Sequence, residues 1–98
     1  MSVIKMIVIP TNNLGGDKEK RQKRLGVETV PEVGHCIELK GRNVRIHAVV
    51  SKVTHEIELE RPSVSQMVVV TAKMSFDNEG QIEALDQNGW EKIKSQSN

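Results

Sequence analysis

Five cations fall within seven residues at Lys18, Lys20, Arg21, Lys23 and Arg24, diluted by Asp17 and Glu19. A cluster of this kind grips phosphates, and each contact makes binding salt-dependent. Arg42 and Arg45 follow in the next legible stretch and complete the candidate binding set. The competing reading of the cluster is a solvated loop tip that only keeps the protein in solution. No aromatic residue stands in or beside it, so nucleic acid would be held by its backbone and not by stacked bases. The whole chain carries 14 Lys plus Arg against 13 Asp plus Glu, which argues against an extended duplex footprint.

Glu56, Glu58 and Glu60 alternate along one stretch. In a strand such a row lies on one face with neighbours about 7 Å apart. That spacing suits a hard cation or a hydrolytic carboxylate pair, or simply a wetted outer face paired across the sheet. His35 and Cys36 are adjacent and would point to opposite sheet faces, while His47 and His55 straddle a proposed bend. No paired Cys or His spacing of a zinc site is present. His55 shares a row with Val53 and Ile57 and is expected to be partly buried. Gly15-Gly16-Asp17-Lys18 lacks the spacing of a phosphate loop. Without a Ser-His-Asp arrangement, a non-catalytic protein with no cofactor and no metal is expected.

These residues need elements to hold them. Val3 to Ile9 is β-branched and closed by Pro10, a buried strand with a hard stop. Residues 11–25 then read as one long polar loop, and Val27-Glu28-Thr29-Val30 as a short strand pairing back on the first. From Val33 to Lys40, residues 35, 37 and 39 share one face, and Cys36, Glu38 and Lys40 the other. A turn at Gly41-Arg42-Asn43 returns the chain, and Val44, Ile46, Ala48 and Val50 line an inner face opposite Arg45 and His47. Beyond Val50 the apolar residues become odd-numbered, at Val53, Ile57 and Leu59. Side chains alternate strictly, so a bulge or sharp bend is required near Ser51-Lys52. Arg61 to Ser65 is a loop. Gln66 to Met74 is the strongest strand, apolar on both faces at Val68 to Val70, and belongs in the middle of the sheet. Gln81 to Gly89 reads as a short helix ended by Asn88-Gly89. Trp90 and Ile93 then pack back or begin an edge strand.

The run Val30-Pro31-Glu32-Val33-Gly34 into His35–Leu39, followed by Gly41 and Val44–Val50, resembles the opening of small SH3-like barrels of bacteria and phages. The resemblance spans about twenty residues. It implies a five-stranded, strongly bent sheet and no active site, since such barrels serve many tasks. The aromatic residues that line peptide grooves in eukaryotic SH3 domains are missing, which speaks against proline-rich ligands.

The fold class expected is therefore mainly β (α+β): a small, strongly bent antiparallel sheet or SH3-like barrel with one short C-terminal helix. A single domain over 1–94 and a frayed tail over 95–98 are expected. Cys36 is the lone cysteine and the apolar run at Ile4–Ile9 is too short for a bilayer, so a cytoplasmic protein without membrane contact is expected. Segregated charge and central strands apolar on both faces point to a protein-binding module: an adaptor, inhibitor or assembly subunit of the kind phages and mobile elements encode, with homo-oligomerisation as a further expectation. The alternatives are nucleic-acid or anionic nucleotide binding through the basic cluster, and a connector-type subunit of a virion.

Overall fold

The computed structural model describes residues 2–11, 18–41, 44–57, 59–60, 66–76 and 79–93. Its elements are β1 (Ser2–Thr11), β2 (Arg21–Val27), β3 (Cys36–Gly41), β4 (Val44–Ile57), β5 (Gln66–Ser75), α1 (Glu79–Gln87) and β6 (Glu91–Lys92). The strands form one six-stranded sheet in the order β3-β4-β5-β1-β2-β6, curled into a half-barrel with α1 on its inner face. A mainly β chain with a strongly bent sheet and one short C-terminal helix is thus what the sequence encodes.

The inner face follows from alternation. Ile4, Met6, Val8 and Pro10 of β1 are buried, and they pair with Val68, Val70, Ala72 and Met74 of β5. Ile46, Ala48 and Val50 of β4 extend the same surface. Ile82 and Leu85 of α1 close over it, with Phe76 and Trp90 joining the cluster. The expected irregularity is present: the β4/β5 register shifts between Val50 and Lys52. Ser51 is the extra residue, and after it Val53, His55 and Ile57 take over the inner row opposite Val70, Val68 and Gln66. The bulge increases local twist and bends the sheet around the helix.

The β3/β4 hairpin pairs Gly41 with Val44, leaving Arg42 and Asn43 of the proposed turn outside the described residues. The Pro31-to-Gly34 step is pinned to β4: Gly34 takes φ +92°, its amide donates to the Val50 carbonyl at 2.9 Å, and the Val50 amide donates to the His35 carbonyl at 2.9 Å. Glycine reaches that left-handed conformation without a steric penalty.

Several expectations need correction. The sheet is mixed, because β1 runs parallel to β5. Pro10 lies inside β1, fully buried, and does not end it. The β1/β2 ladder begins at Val8 opposite Arg21, so the missing Pro10 amide falls beyond that ladder's end and costs no bond. β2 occupies Arg21–Val27, so the second strand starts six residues earlier than Val27, and Glu28 and Thr29 form a bend. The polar segment between the first two strands is correspondingly shorter than 11–25. The helix begins at Glu79, two residues before Gln81. His35 precedes β3 and is exposed, and His55 is exposed as well rather than partly buried. Ile57 and Leu59 are likewise exposed, at 58% and 88%.

Helix α1 ends as its sequence dictates. Gly89 has φ +89°, the Trp90 amide donates to the Leu85 carbonyl at 3.1 Å, and the Gly89 amide donates to the Asp86 carbonyl at 3.3 Å. This left-handed cap satisfies the last carbonyls and turns Trp90 back into the core. Glu91 and Lys92 then add β6 to the outer edge of β2.

Candidate functional site

Strand alternation divides the basic cluster between two faces. Arg21 and Lys23 pair with Val8 and Met6, both inner-face residues, so their side chains turn toward the helix. Arg21 is 4% exposed; its Nε donates to Asp86 Oδ1 at 3.2 Å, Nη2 to Asp86 Oδ2 at 3.5 Å, and Nη1 to the Glu19 carbonyl. Lys23 Nζ donates to the Asn88 carbonyl at 2.6 Å. Helix α1 has no basic residue in its own last turn, and β2 supplies the cations that complement its C-terminal carbonyls. Arg21 is therefore a correction to the binding set: its guanidinium is spent on the helix and does not face solvent.

Arg24 lies on the other face, directly opposite Lys5 of β1. Among the described residues neither cation pairs with a carboxylate. Like charges opposed across a ladder are destabilising without a counter-ion. Among the described residues, Lys5, Gln22, Lys23, Arg24, Gly89 and the acid Glu91 line a cleft of about 380 Å³. The cleft is the wedge that opens where the chain at Gly89–Glu91 leaves the edge of β2. Sequence reasoning missed Lys5 because it sits in an apolar run, where the alternation of Lys5 with Ile4 and Met6 was the available signal.

The remaining candidates scatter. Lys18 and Lys20 are exposed in the segment before β2. Arg45 lies near the opposite edge of the sheet, where its Nε meets Glu38 Oε1 at 3.1 Å; Lys40 reaches the same oxygen at 3.5 Å. Arg42 is outside the described residues. Of the acidic row, Glu56 lies in β4, which ends at Ile57, Glu58 is outside the described residues, and Glu60 lies in a bend. Among the described residues no three His, Cys, Asp or Glu side chains gather as a metal site would require. A second cleft of about 260 Å³, lined by Val30, Pro31, Val33, Val53 and His55, sits where the inner face runs past the helix. No described helix is long and apolar enough to cross a membrane.

Neither protein-family models, nor curated proteins, nor solved structures contain a match to this chain.

Proposed function

We propose that this protein is a small non-catalytic binding module whose partner is another protein, held through carboxylates at the cleft of Lys5, Lys23 and Arg24. One observation carries the reading: two cations, Lys5 and Arg24, stand opposite each other at one cleft, and among the described residues neither forms an ion pair, Glu91 of the cleft included. An arrangement that costs stability when empty is repaid when an anionic group enters it. At the β3 edge Lys40 and Arg45 both already have a carboxylate partner in Glu38, which Lys5 and Arg24 lack among the described residues. The likeness of Val30–Val50 to SH3-like barrels agrees with a binding scaffold. Protein is favoured over nucleic acid because the net charge is only +1 and the cations do not line up as a continuous backbone-tracking stripe.

The test is fluorescence anisotropy with a labelled peptide of alternating Glu and Val, beside a labelled single-stranded oligonucleotide. The peptide is expected to bind, to weaken with salt, and to lose at least tenfold in affinity to the double variant Lys5→Glu/Arg24→Glu. Binding of the oligonucleotide alone, with the same charge reversal abolishing it, would replace the partner by nucleic acid. No binding of either probe would remove the cleft as a site.

A further inference from the structure

Resting on that reading of the cleft, we infer that the partner enters as an extended acidic segment, which adds to the sheet along the open half of β2. Among the described residues, β6 pairs with β2 at Arg21 and Gln22. The Ile93 amide donates to the Lys20 carbonyl at 2.8 Å on this edge, which fixes which residues of β2 face outward. Backbone direction alternates along a strand, so Gln22, Arg24 and Gly26 present their amide and carbonyl to this side, and Lys23 and Leu25 present theirs to β1. Gln22 is paired with Glu91. Arg24 and Gly26 meet no described strand there, although both lie within β2 and are exposed.

An unpaired row of backbone groups is a template for another strand. Main-chain hydrogen bonds then supply affinity, and alternate side chains supply specificity. The residue that faces Arg24 on an added strand would lie about 5.5 Å away at Cα, with its side chain on the same face as Arg24 and Lys5. A glutamate or aspartate at that position pairs with Arg24 and halves the net charge of the opposed pair. Its alternating neighbours turn toward the inner face, where Lys23 and Leu25 stand, so the favoured segment alternates an acid with an aliphatic residue. Charge complementarity and free backbone groups thus select the same occupant.

The closing experiment separates strand addition from simple charge attraction. The alternating Glu/Val peptide is compared by anisotropy with a version N-methylated at every second residue, which keeps all charge but cannot complete the ladder. In parallel, hydrogen exchange of the Arg24 and Gly26 amides is followed by NMR as the unmodified peptide is added. The expected result is at least a tenfold weaker affinity when the set of amides that faces β2 is methylated, and little change when the alternate, outward-facing set is. At least tenfold slower exchange of both amides in the complex is expected with it. Equal affinity of parent and both alternately methylated peptides, with Lys5→Glu/Arg24→Glu still abolishing binding, would overturn strand addition and leave the cleft reading standing. A parent peptide that does not bind at all would remove both.

Discussion

Replacing Asp86 is expected to destabilise the protein more than replacing Arg21, although the two residues form one ion pair. The Arg21 side chain is 5% exposed and that of Asp86 is 39% exposed. In Asp86→Ala the guanidinium keeps its bond to the Glu19 carbonyl but stays buried without a counter-charge. Breaking a fully buried pair in this way costs about 3–5 kcal/mol, and water at the 39%-exposed Asp86 side lowers the expected loss to about 2–4 kcal/mol. In Arg21→Met the aliphatic stem still packs beneath the helix, and the half-open Asp86 carboxylate is rehydrated. What is lost is a set of charge-assisted hydrogen bonds, about 2 kcal/mol after allowance for that exposure. A domain of this length is stable by roughly 5–15 kcal/mol, so Asp86→Ala consumes a large share. Urea unfolding followed by far-ultraviolet circular dichroism measures both, and the double variant closes the cycle. In it the orphaned charge is gone, so it is expected to be more stable than Asp86→Ala alone. Equal losses, or a double variant less stable than Asp86→Ala, would refute the claim that burial of the guanidinium sets the asymmetry.

Further outcomes follow from other residues. Gly89→Ala is expected to cost about 1–2 kcal/mol through the left-handed φ of +89° alone, because an added Cβ meets the Lys23 Nζ no closer than 3.5 Å; thermal unfolding measures it. Met74→Ala, at 0% exposure between β1 and β4, is expected to cost about 2–5 kcal/mol in urea. Cys36 is exposed on the edge strand, so its thiol is expected to react with a disulfide reagent in the folded protein, and Cys36→Ser to shift stability by less than about 0.5 kcal/mol.

Much of this architecture was legible in the residues. The switch of apolar parity after Val50 demanded an irregularity, and the register shift falls between Val50 and Lys52. Asn88-Gly89 marked the helix end, and the two-sided apolar run Val68–Val70 marked the strand that lies inside the sheet. What escaped was β2, and the reason is physical. A polar run reads as loop because inward positions are expected to be apolar, yet Arg21 and Lys23 point inward onto Asp86 and the Asn88 carbonyl. The partners that make those cations tolerable lie at the far end of the sequence and cannot be paired with them by local pattern. The cleft was half visible for the same reason. Arg24 stood in the cluster, whereas Lys5 gained meaning only once the β1/β2 register set it opposite. The parallel β1/β5 pair left no local mark at all, since both strands are apolar whichever way they run.

That parallel seam also governs how the chain must assemble. β1 and β2 form one antiparallel hairpin and β3, β4 and β5 form a meander, each built from neighbours in sequence. The seam between them joins Ile4 to Val68 and Pro10 to Met74, so the first strand has no sheet partner on that side until the fifth exists. Long-range pairing of this kind slows folding, because loop closure is paid before contact is gained. During synthesis the flank of β1 is therefore an unpaired aliphatic edge, open to wrong pairing until its mate arrives.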